Sequence, residues 1–309
     1  MLSLGIPAND YYGSERYNNM AKKLSFTRNL AIHTRRMFLP LCVTPSLILL
    51  AVAYAWPFAK QLQNSLFVPD FSLEYYQAVF TKPAVAIYTS TTLSISTWAV
   101  IWSVLLGYPV AYLLNNLKPK QANLLRILVL LPFYTSFLIR TYAWTLLLGR
   151  RGIINGLLVG SGLISDPLRL LYTRPAVLLG MVQVTLPLVI LPLYAVMRGI
   201  DKDMISAARN LGASPFKAFS LIFLPLSLPG VASGSILVFV TSMGAYLTAK
   251  FLGGPNDQML ANLIESQIMR AMNWEIAAAE TMVLLTMSLT ALIILQRVLK
   301  VNLVVGWSK

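Results

Sequence analysis

Six apolar stretches, each long enough to cross a lipid bilayer as a helix, constrain this 309-residue chain more than any other feature. Crossing the hydrocarbon core takes ~20 mostly apolar helical residues. The stretches run over about 37–59, within 85–114, and over about 123–148, 175–197, 219–248 and 275–297. Composition agrees, with 57% of residues hydrophobic and only 12% charged. In water such a chain would expose large apolar patches and associate. The expected fold class is an all-α membrane protein with six transmembrane helices, because helices satisfy their own backbone groups in lipid.

Prolines recur inside these stretches, at Pro45, Pro109, Pro132, Pro187, Pro192, Pro225 and Pro229. Inside a bundle, neighbouring helices compensate the carbonyls that each proline frees, so kinked helices are expected rather than breaks. No long polar linker and no internal repeat interrupts the pattern. The reading is a polar segment over 1–36, one membrane domain over 37–300 and a tail over 301–309. Thr34 to Leu39 superficially resembles a twin-arginine export signal, and Ala51-Val52-Ala53 a cleavage site. Five further spans follow, which favours an uncleaved first helix with a basic flank.

Lys and Arg near the span ends set orientation. With the N-terminus inside, basic residues fall about two to one on the cytoplasmic side. Both termini are therefore expected in the cytoplasm, with Arg150-Arg151 as the exception on the outer side. The net charge of +14 could suggest nucleic acid. The basic residues instead sit in short segments between apolar runs, where lipid headgroups are the simpler partner. Nucleic-acid binding is not expected.

The chain has one cysteine, Cys42, and one histidine, His33. An intrachain disulfide and a Cys/His zinc cage are impossible, and no nucleophile–base pair is credible. No metal site, no catalytic residue and no cofactor are expected. No phosphate loop is present either: the Gly-rich run Leu252-Gly253-Gly254-Pro255 lacks the lysine that meets phosphates.

The most informative segment lies between the fourth and fifth stretches, at about 198–220. Asp203 is placed to cap a short helix. Met204, Ile205, Ala208 and Leu211 then form an apolar stripe, and Gly212 follows where a helix stop tolerates φ > 0. Nothing in the chain obviously covers that stripe. It either lies on the membrane surface or inserts into a groove of a cytoplasmic partner.

The spacing favours the partner. Ser206-Ala207-Ala208, three residues, Gly212, nine residues and Ile222-Phe223-Leu224-Pro225 reproduce the cytoplasmic motif of ABC-importer permeases, Glu-Ala-Ala, three residues, Gly, nine residues, Ile-x-Leu-Pro. Ser206 departs from the glutamate usual there. Over roughly 37–300 the chain resembles the spermidine/putrescine-type permeases, on Leu138-Ile139-Arg140-Thr141-Tyr142-Ala143-Trp144, Gly152-Ile153-Ile154-Asn155, Pro187 through Tyr194, Arg209 to Ser214, Leu226 to Gly230 and Gly253-Gly254.

That resemblance implies a type I ABC-importer permease fold in a bacterial inner (plasma) membrane. It implies a homologous second permease, a cytoplasmic ATPase dimer that binds ATP and Mg, and a periplasmic or extracellular solute-binding protein. The chain itself would not be an enzyme. It implies an ATPase-coupling set of Ser206, Ala207, Ala208, Leu211, Gly212, Ile222, Leu224 and Pro225. The solute implied is a polyamine, with aminobutyrate, opine or aminophosphonate as the alternatives, and an ion-coupled secondary transporter as a more distant one.

Two ionisable residues fall inside the stretches, Arg140 and Glu280, and such residues usually face a partner or a watery path. Glu280 either attracts a cationic solute or, as the simpler reading has it, pairs locally near the outer interface. For Arg140 a structural role is the simpler reading, by snorkelling or by pairing across helices. Tyr142 and Trp144 read as interfacial aromatics. Ser242, Met243 and Tyr246 fall together on the fifth stretch, where the resemblance places the solute path, although Met and Tyr in a helix are more often packing residues. Gln183 is a weaker candidate.

Overall fold

The computed structural model describes residues 43–67 and 71–299. The polar segment 1–36, Cys42, His33, the basic flank and the tail 301–309 lie outside the described residues. The chain divides into two compact units, residues 1–61 and 62–309. In the first, the described residues form most of helix α1, Val43–Leu66, with a mean hydropathy of 1.3 in its best window.

Helices are the regular elements of the second unit's described residues, with a non-helical stretch at 161–173 and one isolated bridge between Phe67 and Phe71. A short α2, Glu74–Thr81, leads into the long α3, Pro83–Asn116. Then come α4, Pro119–Tyr134, and α5, Phe137–Leu148. Pro83 and Pro119 open their helices, where a missing N–H costs nothing. A short α6, Ile153–Gly160, precedes α7, Arg174–Arg198. Beyond it lie α8, Lys202–Asn210, α9, Pro215–Ala218, a π-helical turn at Phe219–Phe223 and α10, Leu224–Met243. The chain finishes with α11, Tyr246–Leu252, a 3₁₀ turn at Pro255–Asp257, α12, Leu260–Met269, and α13, Trp274–Val298.

Five helices, α1, α3, α7, α13 and the run Pro215–Met243, are long and apolar enough to cross a membrane. The sixth expected span, 123–148, is not one straight helix. It is broken at Thr135-Ser136, and the axis turns by 96° between Pro119–Tyr134 and the following segment Phe137–Gly160. Hydropathy cannot register such a turn, because both halves are equally apolar. The fifth expected span, 219–248, also stops early. Its helix ends at Met243, and Gly244-Ala245 separates it from α11. Elsewhere α3, α7 and α10 run through Pro109, Pro187, Pro192 and Pro229 without ending.

The core of this unit is a three-helix contact of α3, α7 and α10. Ile95, Leu114, Met181, Leu193, Met197 and Val238 are fully enclosed in it or nearly so. Gly230 and Gly234 lie four apart on one face of α10. A Cβ on either would come within 2.9 Å of a Cα of α7, that of Leu193 or Val189. The backbones therefore meet closely, as small-xxx-small spacing permits. The G-x-x-x-G pattern was readable in the sequence and was missed. Two polar links join the same helices: Ser103 Oγ lies 2.9 Å from Thr185 Oγ1, and Tyr108 Oη 2.9 Å from Ser227 Oγ. A second cluster, Val79, Val85, Leu260 and Ala279, joins α2, α3, α12 and α13.

Candidate functional site

At the C-terminal end of α7 the chain turns through Gly199 into α8. The cap of α8 is Asp201, not Asp203: the Asp201 carboxylate accepts the Asp203 N–H at 2.9 Å, and Asp203 sits in the first turn. At the other end the Gly212 N–H bonds to the Arg209 carbonyl and the Ala213 N–H to that of Ala208, both at 3.0 Å. This pair of bonds is a Schellman stop, with Gly212 at φ +89° as its left-handed residue. A Cβ on Gly212 would meet nothing within 4 Å, so the requirement is conformational rather than steric.

No residue of α8 is buried. Its apolar stripe, however, divides. Ile205 packs on the core cluster of its own chain, whereas Met204 and Leu211 are 49% and 89% exposed. Phe216, at the start of α9, adds a third outward apolar side chain at 76%. The expectation that the whole stripe lacks cover is thus corrected for Ile205. Adjacent helix positions differ by about 100°, so Ile205 lies at the edge of the stripe nearest its own chain while Met204 points away. Ser206 is exposed, and its hydroxyl donates to the Lys202 carbonyl within the helix at 3.1 Å.

Ser214 caps α9, accepting the Lys217 N–H at 3.3 Å. The π turn follows, holding Ile222, with Leu224 and Pro225 at the start of α10. The Leu224 N–H reaches back to the Phe219 carbonyl. Pro225 has no N–H to offer and its ring would crowd the preceding turn, so a widened turn here relieves it. Phe219 and Phe223 make edge contacts with Tyr112 of α3, at 5.6 Å and 5.3 Å.

Among the described residues Arg140 does not pair across helices with an acid. Its guanidinium donates to the carbonyls of Pro132 and Thr135 and to the Thr135 hydroxyl, closing the broken end of α4. Trp144 donates its indole N–H to Gln183 Oε1, which ties α5 to α7 and occupies Gln183. Asn155 is buried and donates to the carbonyls of Gly149 and Leu168 while accepting from the Leu168 N–H, so it pins the loop that leads to α7.

The four residues expected on the solute path are not on one helix. Ser242 and Met243 close α10 and are enclosed within the subunit. Tyr246 opens α11 and is half-buried. Glu280 on α13 is fully enclosed; its Oε1 accepts from Gln267 Nε2 at 3.5 Å, and its Oε2 has no hydrogen-bond partner among the described residues.

The other end of α7 is built differently. Gly253 and Gly254 press against Val177 and the Tyr172 carbonyl, so closely that a Cβ would fall within 2.9 Å of each. Tyr172 itself takes φ +60°. Arg174 pairs with Asp257 at 3.3 Å, and Lys250 of α11 with Glu265 of α12 at 2.7 Å. The Leu260 N–H bonds to Thr92 of α3 at 2.8 Å, and Asn262 donates to the Tyr246 carbonyl at 2.8 Å.

Residues 103–301, which include the C-terminal part of α3, all of α7 and α10 and the loop with α8, match the family of binding-protein-dependent transport system inner membrane components. The chain belongs to this family. It is a permease subunit of an ABC importer, a multi-pass membrane protein working in a binding-protein-dependent system. It is 37% identical over 235 residues to the spermidine/putrescine transport system permease protein PotB of Haemophilus influenzae, which covers 76% of this chain and 80% of that protein. PotB of Escherichia coli is 35% identical over 193 residues, 62% of this chain and 70% of that one. The fold is also that of a chain in the crystal structure of a bacterial alginate ABC transporter in complex with an alginate pentasaccharide-bound periplasmic protein. There the TM-score is 0.73 at 17% identity, over 87% of this permease and 98% of that chain.

Proposed function

We propose that this permease forms, with a homologous second permease, the path by which a polyamine of the putrescine/spermidine class enters a bacterial cell across the inner membrane. A cytoplasmic ATPase dimer binds ATP and Mg and hydrolyses the nucleotide in trans, and a periplasmic binding protein delivers the solute. Both termini and α8 face the cytoplasm, and the membrane surrounds the rest. The relatives' names support the solute class, and the basic residues near the span ends support the orientation.

The single observation that carries the coupling role is α8. It is capped at both ends, buries none of its residues and holds Met204 and Leu211 outward. An amphipathic helix of this kind seats in a partner's groove. Ser206, Ala207, Ala208, Leu211 and Gly212 make the seat, while Ile222, Leu224 and Pro225 join it to α10. Ser206 bonds to its own helix, so the contact relies on apolar fit more than on a carboxylate. Of the residues assigned to the path, Tyr246 has surface to offer a solute. Ser242, Met243 and Glu280 reach one only after the subunit rearranges.

The test is co-purification of the ATPase with Leu211→Asp, alongside putrescine uptake in proteoliposomes. The expected outcome is normal membrane insertion with loss of both ATPase capture and uptake. Normal capture by the variant would remove α8 from the coupling role.

A further inference from the structure

A cleft of about 560 Å³ opens at the end of the second unit where α7 begins, within the size range of small-molecule sites. Tyr88, Gly254, Gln258, Lys250, Glu265 and Arg270 are among the residues lining it. Its one carboxylate, Glu265, is 23% exposed and holds Lys250 Nζ at 2.7 Å. The two partners come from different helices, α11 and α12, so the bridge reaches across the cleft wall. The amide N–H groups beside it are already engaged. Gln258 donates to the carbonyls of Ala249 and Gly254, at 3.4 Å and 3.3 Å, and Asn262 to that of Tyr246. Glu265 is the lining carboxylate among the described residues, and it takes a new cation by releasing Lys250.

We propose that this cleft is an amine-binding site in which Lys250 stands in for the solute. The lysine side chain is an alkyl chain ending in a primary ammonium, which is also the end of a polyamine. The 2.7 Å contact is the geometry a solute's terminal ammonium adopts on Glu265 once Lys250 moves aside. This rests on the amine-importer reading above. Exchanging one ammonium for another keeps the charge-assisted bond at Glu265 but costs the solute its freedom and leaves Lys250 unpaired, so binding is weak, and transport needs a site that releases readily. Arg270, also lining the cleft, opposes a second positive charge, so the site takes one end of a dication and leaves the other toward the open side. Exposed ion pairs add little stability, so the bridge is a weak fold element that a competing ammonium can open.

The experiment is putrescine uptake by the full transporter with its binding protein in proteoliposomes, comparing Glu265→Gln, Lys250→Met and the charge-exchanged pair Lys250→Glu with Glu265→Lys. Glu265→Gln should lower uptake about tenfold, the loss of one charge-assisted contact. Lys250→Met should keep or raise uptake by removing the competitor. The exchanged pair should re-form the bridge, judged by unaltered thermal unfolding, yet fail to transport. If both single variants lose uptake alike and the exchanged pair restores it, the bridge is only structural and the proposal falls while the importer reading stands. Should Glu265→Gln fail to assemble, Lys250→Met decides alone, since its loss of uptake overturns the proposal. A wild-type transporter that carries neither putrescine, spermidine nor 4-aminobutyrate overturns the importer reading, and this site with it.

Discussion

The two ends of α7 meet opposite surroundings. At its C-terminal end α8 has no buried residue, rests Ile205 against the core and turns Met204 and Leu211 outward. At its N-terminal end α11 buries Thr248, Ala249 and Leu252, α12 buries Leu260 and Asn262, and hydrogen bonds fix both helices to their neighbours. With 25 residues between them, the ends lie about 37 Å apart at 1.5 Å per residue. One end is covered by its own chain, whereas the other leaves apolar side chains exposed, which under the proposed coupling role another protein covers. Damage at the first should therefore read out as lost fold, and damage at the second as lost partnership.

The strongest challenge to that division is Gly234→Leu. Overpacking against the Val189 backbone should cost about 1–3 kcal/mol, seen as a lower thermal midpoint in detergent, while molecules that stay folded still capture the ATPase. Lost capture at unchanged stability would break the comparison. Next comes Gly212→Val. A β-branched residue at φ +89° should cost about 1–2 kcal/mol, confined to the end of α8. ATPase capture and uptake should fall with the bundle's unfolding midpoint unmoved, and Gly212→Asn should fall less, because Asn tolerates that backbone region.

Arg140→Met should be smaller, about 1 kcal/mol, because the guanidinium is half-exposed and water replaces part of what it gives. The expected sign is faster amide exchange around Thr135-Ser136 with ATPase capture retained. The smallest effect belongs to Asp201→Ala. Removing the cap should cost about 1 kcal/mol or less of α8 alone, measured as faster exchange of the Asp203 amide and slightly weaker ATPase capture. A fall in the bundle's midpoint would mean that α8 supports the fold after all.

Much of this architecture was legible in order of residues, and the reasons differ by region. Hydropathy located the spans because lipid demands long apolar helices whatever their neighbours. The helix α8 was legible because its stop is local: Gly212 needs φ > 0 for reasons internal to four or five residues. The break at Thr135-Ser136 was half legible: Pro132 announces a kink, but a turn of 96° is not written in apolarity, and the targets of Arg140, the Pro132 and Thr135 carbonyls, were not apparent. The cap was misplaced from Asp201 to Asp203 because two acids two residues apart serve equally well on paper. The split of the apolar stripe and the Gln267 contact of Glu280 depend on which elements pack together, and no local pattern encodes that.

The wide turn at Phe219–Phe223 has a bearing on how α10 is mounted. A π turn is in effect one residue inserted into a helix without a loop, and each such residue advances the phase by about 100°. The packing face of α10, with Gly230 and Gly234, is thereby set at a different angular position from the one that an unbroken helix starting at Pro215 would give. The loop and the bundle are joined like two shafts by an offset coupling.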